Sequence, residues 1–306
     1  MPRTQANNLA GFLTIDKPEG WTSHDVVAKI RRLSGVRRVG HAGTLDPFAT
    51  GLLVVGVGQA TRLIQYVQNT TKTYHATLKL GEETDTFDPE GRVTASAAGP
   101  PWPSLADVTA TLGRYSGDIE QIPPAYSAVH VDGKRAYELA RSGQQVDLPA
   151  RAVSIHSLDV SRYAPPLLDL TVVCSPGTYI RSLARDIGRE LGCFAFCQAL
   201  RRTQSGAFQL DDAHTLDALD AENFRACWPH IALPPDSAVA SFPMVGLSEG
   251  QTTAWYHGQS LRDVQVSTSD TIGELVRVYA AGGAFAGLGQ FEAGNELRPA
   301  LVFSTD

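Results

Sequence analysis

The twelve residues from Gly40 to Gly51, GHAGTLDPFATG, set a histidine, an Asp-Pro pair and three glycines in one short stretch. It is too rich in turn formers for a helix and too polar for core, so it reads as a loop that exposes its side chains. A lone Asp before Pro is most often a turn former, and Asp46 taken by itself fits that role. Its flanks point to chemistry. KIRRLSGVRR carries Lys29, Arg31, Arg32, Arg37 and Arg38 without an acid just before the loop, and GLLVVGVG just after it has the near-continuous apolar character of a buried strand. A rigid scaffold therefore holds the loop while positive charge lies beside it. The basic run fits either a phosphate-binding stripe or a solvated helix end whose arginines complement the C-terminal dipole.

Other chemistries find little support. Cys174, Cys193, Cys197 and Cys227 form no CxxC pair and have no histidine at zinc spacing, so they read as small buried hydrophobes and no metal is expected. GVGQAT, residues 56–61, lacks the third glycine of a dinucleotide loop and the lysine of a P-loop. His24, His75, His156, His214, His230 and His257 are dispersed without ligand spacing and read as structural or surface residues.

The elements that must position the loop follow from periodicity and punctuation. GFLTIDKPEGW reads as a short strand broken at Pro18 and Gly20, with DKP as a turn at its end. Thr22 or Ser23 then caps an amphipathic helix through Val26, Val27, Ile30 and Leu33 that stops at Gly35. TRLIQYVQ, capped at Thr61, reads as a second helix and KTYHATLKLG as a strand, followed by a loop at Asp85, Asp88, Pro89 and Gly91 and a helix from Ser104 to Leu112. QIPPAYSAVHVDGKRAYELARSG reads as an inserted arm, a Pro-rich lead and a short helix bearing Lys134, Arg135 and Arg141. RAVSIHSLDVSRY and LLDLTVVCS alternate as half-buried antiparallel strands, and PGTYIRSLARDIGREL turns from strand into helix. An extended GTYIR aims Tyr179 and Arg181 at one face, whereas a helical one makes them diverge. With no regular βαβ repeat, the prediction is an α+β fold with a mixed, mainly antiparallel central sheet flanked by helices.

At 306 residues the chain suits one large domain or one large and one small. Composition shifts at LPPDSAVASFP, which places a linker near 233–241 between a catalytic domain, residues 1–232 with its arm at about 121–150, and a small β-rich domain, residues 242–306. The net charge of −6 conceals a split: residues 1–206 hold 22 Lys and Arg against 19 Asp and Glu, residues 207–306 hold 4 against 13. The basic surplus is N-terminal. The N-terminus has no continuous apolar segment, and the longest apolar run, Leu52 to Val57, is too short to span a bilayer, so a cytoplasmic protein is expected.

GHAGTLDPFATGLL closely matches the signature of the TruB family of tRNA pseudouridine synthases, and the chain resembles that family through most of its length. DKPEGWTSHDVV, KTYHATLKLGEETDTFDPEG, QIPPAYSA, GTYIRSLARDIG and ALRRTQSGAF occur in the family's order. The resemblance implies a pseudouridine synthase fold with a PUA-like C-terminal β-barrel, and formation of pseudouridine at position 55 in the T loop of tRNA. It casts Asp46 as the catalytic carboxylate, His41 as the histidine that contacts substrate as the base is everted, and Tyr74 as the tyrosine stacked on the target uracil. Tyr179 and Leu200 match pocket residues, and Arg181 the arginine paired with the catalytic Asp. His130 departs from the family's usual lysine in the arm and weakens a phosphate contact there, with Lys134 and Arg135 able to compensate.

These types suit the chemistry. Pseudouridine formation breaks the bond from N1 to the sugar, turns the base and rejoins it through C5, so no cofactor is expected. A carboxylate can add to the base or to the anomeric carbon, or remove a sugar proton. Desolvation in a pocket raises its pKa and an adjacent guanidinium lowers it. Extruding the base costs a few kcal/mol, and stacking on an aromatic such as Tyr74 returns roughly 1–3 kcal/mol. The expected partner is tRNA, bound by its T arm and T loop to a monomer that needs no guide RNA, since the chain has no long basic tail. A non-catalytic tRNA-binding or folding protein would need the arm and stripe but not Asp46. A glycosidase would need two facing carboxylates, and the distinctive motif has one acid.

Overall fold

The computed structural model describes residues 9–97, 99–126, 130–131, 134–135, 148–219, 222–262, 264, 273–294 and 296–303. The strands of its first half are β1 (Gly11–Lys17), β2 (Val39–His41), β3 (Thr50–Val57), β4 (Lys72–Leu80), β5 (Glu82–Thr84), β6 (Val93–Ser96), β7 (Gly117–Gln121), β8 (His130–Val131) and β9 (Lys134–Arg135). Those of its second half are β10 (Arg151–Ala164), β11 (Leu167–Cys174), β12 (Ala195–Ser205), β13 (Phe208–Gln209), β14 (His214–Thr215), β15 (Met244–Gly246), β16 (Leu275–Tyr279), β17 (Phe285–Glu292) and β18 (Glu296–Val302). The helices are α1 (Ser23–Ser34), α2 (Ile64–Gln68), α3 (Leu105–Gly113), α4 (Ile180–Glu190), α5 (Phe224–Ile231) and α6 (Glu249–Tyr256).

The central sheet runs β14-β1-β3-β12-β4-β11-β10-β7, with β2 beside β3 and β13 beside β12. Among the described residues only β1 with β14 and β3 with β12 pair in parallel within it, so the mixed, mainly antiparallel sheet read from the sequence is present. GLLVVGVG lacks alternation because both of its faces are covered. Leu53 and Val55 join Leu13 and Ile15 in the core under α1 and α4, while Leu52 and Val54 join Phe12 in a second core with Leu63 and Val67. Leu288 and Phe303 complete that second core, so the C-terminal unit docks on the sheet through apolar side chains. That unit is a four-stranded sheet, β15-β16-β17-β18, centred on the fully buried Trp255 of α6, whose indole N–H donates to the Ala286 carbonyl at 2.9 Å.

α1 begins where the sequence predicts, with Thr22 and Asp25 forming a reciprocal capping box, and ends on Gly35 at φ 67°. Such a cap is worth about 0.5–2 kcal/mol. Several expectations needed correction. Residues Gly58–Leu63 form a 3-10 helix and Thr61 bonds back to the Gly58 carbonyl at 2.8 Å, so α2 starts two residues later than a Thr61 cap implies. DKP is not yet a turn: β1 continues through Lys17 because Asp16 and Lys17 still pair with Leu52 and Gly51 of β3. Within the arm Lys134 and Arg135 lie on a strand paired with β8 rather than on a helix. Arg141 and the side chains of His130, Lys134 and Arg135 lie outside the described residues. Among the described residues no helix is long and apolar enough to cross a membrane.

α4, which carries Arg181, lies tight against the chain entering β12 at Gly188, where an added Cβ would lie 2.2 Å from the Ala195 nitrogen and 2.5 Å from the Ala195 Cβ. Backbone cannot yield like a side-chain tip, so Gly188→Ala must push the helix outward. The expected result is a loss of about 1–3 kcal/mol, the usual cost of overpacking, read as a lower urea midpoint; an unchanged midpoint would show that the helix has room to move.

Candidate active site

A cavity of about 260 Å³ opens between the Asp46 loop, β4, β12 and the start of α4, and its lining includes Asp46, Tyr74, Tyr179, Arg181 and Leu200. Five of the six predicted site residues thus meet in one place. His41 stands to the side, at the end of β2, with its ring edge-on to His24 at 5.4 Å. Burial lowers the His41 pKa to about 4, so the ring is neutral near pH 7, and its buried Nδ1 has no hydrogen-bond partner among the described residues.

The Asp46 loop is held from three sides. The Lys17 ammonium, fully buried, donates to the carbonyls of Pro18 (2.9 Å), Trp21 (2.6 Å) and Pro47 (3.2 Å). Ser23 at the start of α1 accepts from the Leu45 N–H at 2.9 Å and donates to the Leu45 carbonyl at 3.1 Å. From β12, Arg202 donates to the carbonyls of Gly43 (3.1 Å) and Leu52 (2.7 Å). Gly51 lets β3 and β12 close on each other: at φ 96° it has no Cβ to strike the Arg202 carbonyl, which would be 2.3 Å away.

Arg181 gathers the charges. Its Nε lies 3.0 Å from Asp46 Oδ2 and its Nη2 3.3 Å from Asp46 Oδ1, while Nη1 reaches Asp88 Oδ2 at 2.9 Å. The same guanidinium donates to the carbonyls of Thr86 (3.0 Å) and Tyr126 (2.9 Å). The Asp88 side chain is 4% exposed and that of Asp46 34%, so one carboxylate anchors the arginine from within and the other faces the cavity. Burial pushes the Asp46 carboxyl above the usual range, with Asp88 adding to the rise, while Arg181 and Lys17 pull it back. The guanidinium moderates desolvation without cancelling it.

The helix starts two residues earlier than an extended GTYIR allows: Tyr179 is the extended N-cap residue and Ile180 and Arg181 are already helical. They still share the cavity because the chain bends at Tyr179. Gln121 fixes that bend by accepting from the Tyr179 N–H at 2.8 Å and donating to its carbonyl at 3.1 Å. Tyr74 pairs with Val172 and Arg202, and Leu200 with Ala76, across β4. Burial raises the Tyr74 pKa against the opposing charge of Arg202.

Sequence reasoning overlooked Lys17, Ser23, Lys72, Asp88 and Gln121. Asp88 lies in DPEG, a turn pattern that gives no sign of burial, and nothing local in QIPP marks Gln121. Lys72 lines the cavity and donates to the carbonyls of Val67, Gln68 and Thr70, and burial lowers its pKa to about 8. Of the two arginines left open by the sequence, Arg201 pairs with Asp16 at 2.7 Å and Arg202 is 1% exposed, committed to the interior.

The opposing forces on Asp46 can be measured without substrate. Its carboxyl carbon, followed by NMR, is expected to titrate above the ordinary Asp range and to move higher in Arg181→Met, where burial and Asp88 act with less opposition. In the sign convention of linkage, a folded pKa above the unfolded one makes this group's contribution to stability fall as pH rises through that window. A midpoint at or below that of a free Asp would contradict the balance.

Three family descriptions match consecutive stretches of the chain: TruB family pseudouridylate synthase (N terminal domain) over residues 31–180, tRNA pseudouridylate synthase B C-terminal domain over 181–238, and pseudouridine synthase II TruB, C-terminal, over 243–303. The chain is 43% identical over 309 residues to the tRNA pseudouridine synthase B of Arthrobacter sp. (strain FB24), covering 97% of both. It is 44% identical over 303 residues to that of Thermobifida fusca (strain YX), covering 96% of this chain and 98% of the relative. A solved Cbf5-Nop10-Gar1 complex contains a chain that superposes with a TM-score of 0.73 at 26% identity, over 96% of this chain and 85% of that one. The chain therefore belongs to the TruB family of pseudouridylate synthases.

Proposed function

We propose that this protein isomerises a uridine of transfer RNA to pseudouridine, acting on position 55 of the T loop with Asp46 as its catalytic carboxylate. The observation that carries this reading is a carboxylate fixed at the wall of a cavity, paired with Arg181 and sharing that cavity with Tyr74. The target uridine leaves its loop and enters this space, where the Tyr74 ring stacks on the base and Leu200 and Tyr179 form the walls. Stacking offsets much of the extrusion cost, by roughly 1–3 kcal/mol.

The bond between N1 and C1′ breaks, the base turns, and a bond from C5 to C1′ replaces it. The C5 proton leaves and N1 gains one, so atoms and charge balance. Asp46 acts as the anion, either adding to the nucleotide or taking a sugar proton, and Arg181 holds it in register. His41, neutral near pH 7, meets the RNA as the base is everted. The division of labour follows the sequence: residues 1–232 carry catalysis, the arm at about 121–150 and the basic stripe grip the T arm, and residues 242–306 form the PUA-like accessory. The protein works in the cytoplasm as a monomer without a guide RNA.

Purified protein incubated with unmodified tRNA transcript, followed by carbodiimide mapping, is expected to place one pseudouridine in the T loop. Asp46→Asn should abolish it, while Tyr74→Leu should slow it by about 5- to 150-fold, the equivalent of the lost stacking. No adduct in the T arm, or turnover by Asp46→Asn at the parental rate, would overturn the reading.

A further inference from the structure

α4 presents a second guanidinium to the turn that holds Arg181, and this one touches neither carboxylate of the site. Arg185 follows Arg181 by one helical turn and so shares its face. Its guanidinium carbon lies 4.8 Å from the centre of the Phe87 ring. Phe87 adopts φ 59°, a left-handed backbone that bulky residues rarely take. The neighbours on either side are the two groups that reach Arg181 from this turn, the Thr86 carbonyl at 3.0 Å and the Asp88 carboxylate at 2.9 Å.

The geometry makes Phe87 a hinge for both. The Thr86 carbonyl belongs to the peptide plane that rotates with the φ of Phe87, so relaxing that angle to a negative value swings the carbonyl off Arg181 and carries Asp88 with it. Other hydrogen bonds hold the turn around it, from Thr84 Oγ1 to the Asp88 carbonyl at 2.8 Å, from the Thr86 hydroxyl and the Glu90 N–H to Asp88 Oδ1, and from the Asp85 N–H to the Arg92 carbonyl at 3.0 Å, but none of these is made by Phe87. Inside the turn Phe87 N donates to the Thr84 carbonyl at 3.1 Å, and its own carbonyl accepts from Cys197 N on β12 at 3.0 Å. Arg185, 7% exposed, is in turn immobilised by Asp186 at 2.7 and 3.0 Å and by the Ile122 carbonyl at 3.3 Å. A planar cation fixed at that height keeps the ring beneath it.

We propose that Arg185 is a positioning residue for the reaction: stacked on Phe87, it locks the turn between Thr84 and Gly91 in the left-handed form that aims Thr86 and Asp88 at Arg181, and through Arg181 fixes Asp46. The activity part of this inference rests on the functional reading above; the conformational part does not.

The test compares the parent, Arg185→Ala, and Arg185→Ala combined with Phe87→Gly, because glycine takes a positive φ without a stack to hold it. Three quantities are read: the single-turnover rate on tRNA transcript, the RNA dissociation constant, and hydrogen exchange at the Cys197 amide. Arg185→Ala is expected to slow turnover by about tenfold or more, in the range that misplacement of a catalytic group produces. It should also speed Cys197 exchange and leave RNA affinity unchanged. Adding Phe87→Gly should restore both the rate and the protection. Should Arg185→Ala fail to fold, Arg185→Lys, which keeps the charge and loses the planar stack, takes its place with the same expectations. Weaker RNA binding at an unaltered rate, unchanged Cys197 exchange, or a double variant no better than the single one would each overturn the proposal. A parent protein inert on tRNA would remove only the functional reading, since the exchange comparison still decides whether the stack sets the turn.

Discussion

Arg181 stands between two carboxylates, 3.0 Å from Asp46 and 2.9 Å from Asp88, and the rest of the site is arranged around that sharing. A buried guanidinium needs compensation, and removing one partner of such a pair typically costs several kcal/mol because the other charge is left stranded. Asp88, almost fully enclosed, supplies the permanent counter-charge. Asp46 is thereby relieved of a purely structural duty and can turn its oxygens to the cavity. A single carboxylate beside a single arginine would have to serve both ends.

The cost of this arrangement appears in the cations around it. Lys17 and Lys72 have pKa values lowered to about 8 by burial, and Arg202 is buried against carbonyls of the Asp46 loop. Each donates to main-chain oxygens, so each fixes backbone and at the same time adds positive potential to the cavity wall. Loop rigidity and an electrostatic field suited to an anionic ligand come from the same side chains. The pinned Asp-Pro turn, the Gly51 contact with β12 and the bend at Tyr179 then determine where that field points.

Much of this was legible in the sequence for physical reasons. The Asp46 loop announced itself because turn chemistry beside a buried strand is a local pattern, and the capping boxes at Thr22 and Ser104 are local as well. Tyr74, Tyr179, Arg181 and Leu200 came from resemblance rather than from periodicity. What escaped was long-range. Lys17 reads as a turn lysine until the Pro47 carbonyl arrives from thirty positions away, Asp88 reads as a turn acid until α4 delivers Arg181, and Gln121 until Tyr179 meets it. Helix boundaries slipped at Thr61 and Tyr179, where tertiary contacts and not caps fix the start.

The shared guanidinium can be tested most directly through its inner partner, which is buried behind the cavity lining. Single-turnover kinetics of Asp88→Asn at saturating enzyme should show the isomerisation slowed by about tenfold or more, with RNA affinity retained, because Arg181 loses its anchor and no longer holds Asp46 in register. A rate equal to that of the parent protein would contradict the account, for it would mean that Asp46 keeps its place without the carboxylate behind it.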